Sequence, residues 1–473
     1  MLDLVTLVCA AVEIALYALL GAFAVTLLLR ARWAWRQGPL SAVPPPPPPS
    51  AAPFVTVQLP LRNEPAVAEG LLRGAAALDW PRDRIELQIL DDSDDGTVEI
   101  VDRVAGELRA SGHAIEVVRR RERRGYKAGA LALGMQTARG DRFLILDADF
   151  RPDPTLLAAL EAGLGEDHAF CQARWSYRNR EASLLTRLQA AILDALFVIE
   201  QAAQSARGAP VQFNGTGGLW RREALVRAGG WDTSDDALTE DLDLSFRANE
   251  TGRRGVTRAD LEVATELPEA MAELRCQQAR WVRGAGLALR TVGRRLWARA
   301  ALADARQLLL HLLRHARQPV FVAAALRLPL MAWCGVMPLA PAWLGPCLFL
   351  LLLGAIAGYL GAARRRIDGD ARAGAVLAPA LFALSMGLSP ALALAFVGGA
   401  LGRRGGGFRR TAKTGGQAVP RSREPLDAGA ALGVLVAVLA LFAAALFFRD
   451  ADVIGVVASV FVAGSCGWVA LAP

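Results

Sequence analysis

The chain has 473 residues, of which 53% are hydrophobic and 21% are charged, and it carries a formal net charge of +7. This balance excludes a protein that is soluble throughout and one that is embedded in a bilayer throughout, because so many apolar residues must be segregated from so many charges. The basic excess comes with no recognisable nucleic-acid-binding motif. We therefore attribute it to residues that flank membrane segments, and we expect no nucleic-acid partner.

Five apolar runs have the length of about 20 residues that crosses a bilayer. They occupy residues 4–29, 320–338, 344–363, 430–448 and 453–471. The first run is too long for a signal peptide and lacks a basic start, so we predict that it anchors the chain. The lipid bilayer is therefore an expected partner.

Arginines follow the first and the third of these runs. Arg30, Arg32 and Arg36 lie beyond the first run, and residues 364–366 lie beyond the third. Because basic flanks stay on the cytoplasmic side, we expect a multi-pass protein of the inner (plasma) membrane with a cytoplasmic middle region. A further apolar run at 377–401 has basic residues at both ends, which favours an interfacial segment; a sixth span is the alternative.

The charged middle of the chain alternates between strand and helix patterns after a stiff proline spacer. Strands are predicted at residues 54–59, 85–90, 115–118 and 143–146, with helices at 66–78, 97–110 and 127–138 between them. Such alternation predicts an α/β fold, with a Rossmann-like, mostly parallel sheet covered by helices on both faces.

Acidic residues follow three of the predicted strands. The first strand runs into Glu64, the second into Asp91 and Asp92, and the fourth into Asp147 and Asp149. Ligands bind beyond the carboxyl ends of parallel strands, so these side chains mark a candidate site. Because clustered carboxylates raise one another's pKa unless a cation is present, we expect Mg²⁺ or Mn²⁺ there.

A basic run precedes the third predicted helix. Arg123, Arg124 and Lys127 supply positive charge near the helix start, where phosphate groups can bind. Arg119 and Arg120 come earlier in the run, and we interpret them as a solvated basic face.

Three carboxylates lie within four residues at another predicted helix start. Thr239 is placed to cap this helix, and the first turn stabilises the ionised forms of Glu240 and Asp241. Asp243 projects from a different side, so we do not expect Asp241 and Asp243 to share a role. Taken alone, this stretch is a capped, charged helix start; its interpretation depends on the other motifs.

Four motifs follow one another in a particular order. They are Asp91-Asp92, Asp147-x-Asp149, Thr239-Glu240-Asp241 and Gln277-x-x-Arg280-Trp281. In this order and spacing the chain resembles the processive, membrane-integrated family-2 glycosyltransferases, which include cellulose-synthase-like and mannan-synthase-like enzymes. The resemblance covers residues 54–286 and extends weakly through the membrane part. It implies a GT-A-type cytoplasmic domain inserted between transmembrane helices.

The resemblance also implies roles for individual residues. Those implied in nucleotide-sugar binding are Asp91, Asp92, Lys127, Asp147, Gln277 and Arg280. Those implied in acceptor binding are Gly215, Thr216, Glu240 and Trp281. Asp149 is implied as the ligand of Mg²⁺ or Mn²⁺, and Asp241 as the general base that takes a proton from the acceptor hydroxyl.

A second resemblance lies in the membrane half of the chain. Phe408, Thr411 and Lys413 match the Phe-x-x-Thr-x-Lys gating loop of cellulose synthase, with Ala412 where family members often carry proline. A plain juxtamembrane basic loop is the alternative interpretation of this segment.

These inferences divide the chain into five parts. We expect an N-terminal transmembrane helix at 1–32, a proline-rich linker at 33–53, the GT-A domain at 54–290, interfacial helices at 291–318 and a transmembrane region at 319–473. The last part includes the interfacial segment 374–401 and the gating-like loop 403–417.

The expected function is that of an inverting, metal-dependent glycosyltransferase that extends a β-linked polysaccharide from GDP-mannose or UDP-glucose. One alternative is transfer of a single sugar to a lipid acceptor, as in ceramide glucosylation. A non-enzymatic alternative is a membrane transporter or receptor whose cytoplasmic domain binds nucleotides.

Overall fold

The computed structural model describes residues 2–41, 52–234, 239–299, 302–336, 338–341, 343–402, 427–449 and 452–472. Within these residues the chain forms two compact units. One is an α/β unit within Pro39–Pro268. The other is helical and combines segments that precede and follow the α/β unit in the sequence.

The strands, in chain order, are β1 Val55–Leu61, β2 Ile85–Asp91, β3 Ile115–Val118, β4 Arg142–Ile145, β5 His168–Tyr177, β6 Gly218–Arg221 and β7 Arg254–Thr265. The helices before β7 are α1 Leu2–Arg36, α2 Ala68–Ala76, α3 Thr97–Ala110, α4 Tyr126–Thr137, α5 Leu156–Gly163, α6 Leu184–Ala195, α7 Ala202–Ala206, α8 Arg222–Arg227 and α9 Glu240–Glu250. Those after it are α10 Met271–Ala298, α11 Ala303–Leu313, α12 Arg317–Cys334, α13 Leu344–Asp368, α14 Ala371–Ala375, α15 Ala378–Ala400, α16 Ala428–Arg449 and α17 Val453–Leu471.

The strands of the α/β unit form one sheet in the order β3-β2-β1-β4-β6-β5-β7. β1 pairs in parallel with β2 and β4, β2 with β3, and β5 with β7. Only β6, among the described strands, runs antiparallel to its neighbours β4 and β5. The predicted mostly parallel α/β sheet is confirmed.

Helices cover both faces of this sheet. Successive side chains of a strand point to opposite faces. On β4, Phe143 and Ile145 accordingly join the cluster that includes residues of α4, α8 and α9. Leu144, with Leu146 just beyond the strand, joins the cluster built from α2, α3 and α5. Because both faces are buried, even a polar strand residue such as Gln58 is buried and hydrogen-bonded.

Five of the described helices are long and apolar enough to cross a membrane: Leu4–Arg36, Leu344–Asp368, Ala371–Ala400, Ala428–Phe447 and Val453–Leu471. Four of them coincide with predicted apolar runs. The predicted run at 320–338 corresponds to α12, which contains Arg327 and is not among the five. The segment 374–401 instead lies in α14 and α15, which together meet the length of a span. Its interfacial placement stays a prediction.

The basic ends of α1 and α13 lie together within the helical unit. Arg365 donates a hydrogen bond to the carbonyl of Trp35 at 3.1 Å and stacks over its ring. Arg366 stacks over the ring of Trp33. Both arginine-rich helix ends therefore lie on one side of this unit, and their cytoplasmic orientation stays a prediction.

A carboxylate near the middle of α1 is fully paired. The Glu13 side chain is buried and accepts hydrogen bonds from Arg327 at 2.7 Å and from the backbone amides of Leu339 and Ala340 at 3.0 and 3.3 Å. A charge within an apolar helix is costly unless it is compensated. This cluster therefore ties α1 to α12 and to the segment that follows α12.

Candidate active site

The two aspartates at the end of β2 are each bound by an arginine. Arg119 Nε donates to Asp91 Oδ2 at 2.8 Å. Arg120 Nε donates to Asp92 Oδ1 at 2.9 Å, and its Nη2 donates to Asp92 Oδ2. The Arg120 side chain is only 9% exposed, so its interpretation as part of a solvated face is wrong, whereas the Arg119 side chain is 38% exposed. They follow β3, which lies beside β2, and the strand-end rule applied to β3 would have found them.

The buried pair of Arg120 and Asp92 gives a stability prediction. Replacing Arg120 with alanine leaves the Asp92 carboxylate buried without its guanidinium, and it removes donors to the carbonyls of Arg124 and Tyr126 at 2.9 and 2.7 Å. We expect a loss of about 3 kcal/mol of stability. Thermal unfolding of the full chain in detergent should then show a midpoint lowered by roughly 6–12 °C.

The matched control is Arg103→Ala, which removes an arginine from a half-exposed surface network with Glu69 and Glu107. Because water screens exposed ion pairs, little change in the midpoint is expected. Equal effects of the two substitutions would contradict the assigned importance of the buried pair.

The loops that follow β1 and β2 are joined by side-chain hydrogen bonds. Asn63 donates to Asp94 Oδ1 at 2.8 Å, and Arg62 donates to Asp94 Oδ2 at 2.7 Å. These two donors hold the pKa of Asp94 below its ordinary value. Asn63 adopts a positive φ of 54°, a conformation that asparagine accepts more readily than most residues.

At the end of β4, Asp147 is linked to helix α4 and to the loop before β6. Lys127 Nζ lies 2.5 Å from Asp147 Oδ1 and donates to the carbonyl of Gly215 at 2.9 Å. The backbone amide of Asp147 donates to Thr216 Oγ1 at 2.9 Å. The structure thus brings together Asp147, Lys127, Gly215 and Thr216, which were predicted from separate motifs.

Lys127 is the positive centre of this cluster. Burial opposes its charged form, but the carboxylates of Asp147, Glu240 and Asp241 outweigh burial and raise the pKa of Lys127 above its ordinary value. Because the pKa of Lys127 is higher in the folded state, its charge stabilises the fold fully at pH values below the ordinary lysine pKa. This stabilisation is lost only as the pH rises through the folded-state pKa. Lys127 is therefore protonated at neutral pH and cannot act as a base.

Asp149 lies deeper, against the end of β7. Its side chain is buried, and Thr265 Oγ1 donates to Asp149 Oδ2 at 2.5 Å. Between them, the backbone amide of Arg151 donates to the carbonyl of Ala264 at 2.8 Å, which joins the two chain segments. Thr265 was not identified from the sequence, because β7 follows more than a hundred residues after Asp149.

The carboxylates of this edge suit a divalent ion that also has phosphate ligands. Among the described residues, no group of three or more histidine, cysteine, aspartate or glutamate side chains could hold a metal ion. Mg²⁺ is usually held by one or two carboxylates, with substrate phosphates and water completing the shell. Asp147 is engaged by Lys127, so Asp149 is the carboxylate that fits this arrangement.

Asp241 approaches the same cluster from helix α9. Thr239 occupies the N-cap position without a side-chain capping bond, and Glu240 and Asp241 lie in the first turn. A Cβ at position 215 would lie 3.0 Å from Asp241 Oδ2 and 3.7 Å from Lys127 Nζ. Gly215 also has a φ of +86°, so glycine is required both by the close approach and by the backbone.

Asp243 faces elsewhere, as expected. It forms an ion pair with Arg247 at 2.8 Å. Arg247 in turn donates to the carbonyls of Ala228 and Gly230. Asp243 therefore supports the turn at Gly229 and Gly230 and takes no part in the cluster around Lys127.

The remaining predicted residues belong to other parts of the chain. Gln277, Arg280 and Trp281 lie on α10 in the helical unit. Their spacing puts them on one face of the helix, and all three side chains are half-buried. α10 is continuous across residue 290, where we expected the GT-A domain to end. Phe408, Thr411 and Lys413 lie outside the described residues.

Two protein-family models match the chain. The model described as "Glycosyl transferase family group 2" matches residues 143–360. The model described as "Glycosyl transferase family 2" matches residues 56–228, which contain β2 to β6 and all but the first residue of β1.

Curated relatives match about half of the chain. The probable glucomannan 4-beta-mannosyltransferase 7 of Oryza sativa subsp. japonica is 38% identical over 261 residues, which cover 54% of this chain and 44% of that protein. The probable glucomannan 4-beta-mannosyltransferase 10 of Arabidopsis thaliana is 40% identical over 235 residues, which cover 48% of this chain and 42% of that protein. The chain spans about half the length of the curated relatives it matches.

Among solved structures, the chain is similar in fold to the mannosyltransferase PcManGT from Pyrobaculum calidifontis, which was determined in complex with GDP-Man and Mn²⁺. The TM-score is 0.54 and the identity 23%, with 82% of this chain and 99% of that chain covered. The sheet order, the two family models and the curated relatives agree, and the chain therefore contains a family-2 glycosyltransferase domain with a GT-A fold.

Proposed function

We propose that this protein is an inverting, metal-dependent β-mannosyltransferase that uses GDP-mannose to extend a β-linked polysaccharide at the cytoplasmic face of a membrane. The observation that carries the proposal is the convergence of Asp241, Lys127 and Asp147 around Gly215 at the carboxyl edge of the sheet. The names of the curated relatives support mannose transfer to a glucomannan, and the GDP-Man and Mn²⁺ bound to PcManGT support the donor and the metal.

Asp241 is the general base of this proposal. An acceptor hydroxyl is a weak nucleophile, and a carboxylate positioned to take its proton accelerates the attack by roughly 10²–10⁴-fold. The protonated state of Lys127 excludes it as the base, and the ion pair with Arg247 directs Asp243 elsewhere. Glu240, beside Asp241 in the first turn of α9, is placed to contact the acceptor.

The reaction is a single displacement. The acceptor oxygen forms a bond to the anomeric carbon, the bond between that carbon and the diphosphate oxygen breaks, and the hydroxyl proton passes to Asp241. GDP leaves with the electron pair, and an α-linked donor therefore gives a β-linked product.

The donor lies over the ends of β2 and β4. Asp91 and Asp92, held in place by Arg119 and Arg120, contact the nucleoside. Asp149 would hold the divalent ion, which supplies positive charge to the departing diphosphate when it is bound. Lys127 adds a fixed positive charge on the same edge. Gln277, Arg280 and Trp281 keep the donor-binding and acceptor-binding roles that the family resemblance implies for them.

The proposal predicts a polymer product. The full chain, reconstituted in lipid with labelled GDP-mannose and Mn²⁺, should form an alkali-stable product that an endo-β-mannanase degrades. Labelled UDP-glucose, offered in a parallel reaction, should give at least tenfold less product, since the relatives that support the proposal are mannosyltransferases.

Other outcomes would replace parts of the proposal. Incorporation from UDP-glucose alone would change the donor, and a product extracted entirely into organic solvent would indicate transfer to a lipid. Tight nucleotide binding with no turnover of either donor would reject the enzymatic proposal in favour of a nucleotide-binding transporter or receptor.

A further inference from the structure

A buried cluster of amide side chains lies beneath the loop that carries Gly215. It is formed by Gln172 on β5, Gln201 after α6, Asn214 in the loop and Thr257 on β7. Gln172 is 0% exposed and Gln201 is 1% exposed. Such a network is costly unless its members are hydrogen-bonded, and when they are it fixes the geometry of the surrounding chain.

Gln172 binds the backbone of the loop on both sides of Phe213. Its Nε2 donates to the carbonyl of Gln212 at 2.8 Å, and its Oε1 accepts from the amide of Asn214 at 3.0 Å. One side chain therefore satisfies a backbone acceptor and a backbone donor two residues apart, as a neighbouring strand would.

Gln201 and Asn214 form a reciprocal amide pair. Gln201 Nε2 donates to Asn214 Oδ1 at 3.1 Å, and Asn214 Nδ2 donates to Gln201 Oε1 at 3.2 Å. The Gln201 oxygen also accepts from Thr257 Oγ1 at 3.3 Å. Two opposed hydrogen bonds fix both the distance and the orientation of the Asn214 side chain.

The helix that carries Gln201 has an unusual turn at this point. Between α6 and α7 the chain forms a π-helical segment, Leu196–Gln201, and Gln201 is its last residue. Such a segment inserts an extra residue into an α-helix, which changes the direction of the following side chains by roughly 100°. This insertion sets the direction in which Gln201 leaves the helix.

The loop held by this cluster is the one that meets the proposed base. Gly215 follows Asn214 directly, and its carbonyl accepts from Lys127. The amide of Phe213 donates to Ser245 Oγ at 2.7 Å, and the Ser245 hydroxyl donates to the carbonyl of Asp241 at 2.6 Å. Displacement of the loop would therefore displace Lys127 and Asp241 relative to each other.

We infer that Gln172 and Gln201 are positioning residues for sugar transfer, which hold Asn214 so that Gly215 lies between Lys127 and Asp241. This inference rests on the proposed function. Neither glutamine contacts Asp91, Asp92 or Asp149 in the hydrogen bonds that define the cluster, so nucleotide binding does not depend on them.

The test is the substitution Gln201→Leu in the full chain, which keeps the side-chain volume and removes the amide. We expect kcat for transfer from GDP-mannose to fall by roughly 10–100-fold, because a displacement near the reacting atoms acts on the rate more than on binding. The KM for the donor and the Kd of GDP should change by less than about twofold, for the same reason. The double variant Gln201→Leu with Asn214→Leu should lose no more activity than the more impaired single variant, because coupled residues are not additive.

The matched control is Gln189→Leu. Gln189 is a buried glutamine on α6 that donates to the carbonyls of Leu185 and Pro268, away from the loop. We expect its loss to lower the thermal midpoint about as much as Gln201→Leu but to leave kcat within about twofold of the original value.

The outcomes are distinguishable. If the unmodified protein is active and the Gln201→Leu variant is equally active, the inference is overturned. It is also overturned if the Gln201→Leu and Gln189→Leu variants lose equal fractions of kcat at equal thermal midpoints. Additive losses in the double variant would also overturn it. Failure of the proposed function would be evident in the unmodified protein, which would transfer no mannose.

Discussion

Replacing Asp241 with asparagine is expected to lower kcat for sugar transfer by roughly 10²–10⁴-fold, because the substitution removes the carboxylate that we propose as the general base. Asparagine retains the size of the side chain and an oxygen that can accept from the amide of Leu242, which lies 2.8 Å from Asp241 Oδ1. The loop and helix should therefore keep their positions. Activity is measured with labelled GDP-mannose, and GDP affinity by calorimetry, where no more than about a twofold change in Kd is expected.

The chain supplies a matched control two residues away. Asp243→Asn removes a carboxylate from the same helix turn but breaks only the pair with Arg247, which supports the turn at Gly229 and Gly230. This variant should be somewhat less stable and still active. An active Asp241→Asn variant, or an inactive and correctly folded Asp243→Asn variant, would reject Asp241 as the base.

Replacing Asp149 with asparagine is expected to abolish the metal dependence of donor binding. A bound divalent ion contributes several kcal/mol to the stabilisation of a leaving diphosphate, so a fall in kcat of roughly 10²–10³-fold is expected when its carboxylate is lost. In the unmodified protein, Mn²⁺ should tighten GDP binding and a chelator should reverse the effect. In the variant, neither Mn²⁺ nor the chelator should change the Kd of GDP. The electron paramagnetic resonance signal of Mn²⁺ in the presence of the variant should be that of the free ion.

Asp153→Asn is the appropriate control for this experiment. Asp153 lies in the segment after Asp149, where its carboxylate accepts from the amide and hydroxyl of Thr155 at 2.9 and 2.6 Å. These bonds lower the pKa of Asp153 and explain its presence without a metal. Mn²⁺-dependent GDP binding that survives in Asp149→Asn, or disappears in Asp153→Asn, would place the ion elsewhere.

The charge balance at the sheet edge differs from the one expected from the sequence. From the sequence, the clustered carboxylates are expected to require a cation. In the structure, arginines bind both aspartates that end β2, and Lys127 binds Asp147. The proposed divalent ion therefore depends on Asp149 and on the diphosphate of a donor, not on the number of acidic residues.

The sequence by itself determined the local structure of the first part of the α/β unit, from β1 to β4. Helix α3 was predicted at residues 97–110 and β3 at 115–118, and both agree with Thr97–Ala110 and Ile115–Val118. The end of β2 was placed within one residue. These elements are specified locally, because short segments rich in β-branched and apolar residues form strands and longer segments with a helical apolar period form the covering helices. The order of the acidic motifs was likewise sufficient to identify the family.

The tertiary structure decided which side chains meet. The position of β3 beside β2 brings Arg119 and Arg120 to the aspartates, and the antiparallel insertion of β6 brings Gly215 to Lys127. The amide cluster around Gln201 depends on a π-helical turn and on three separate segments of chain. Contacts of this kind join residues far apart in sequence, and only the packing of the whole sheet fixes their distances, because no local pattern encodes them.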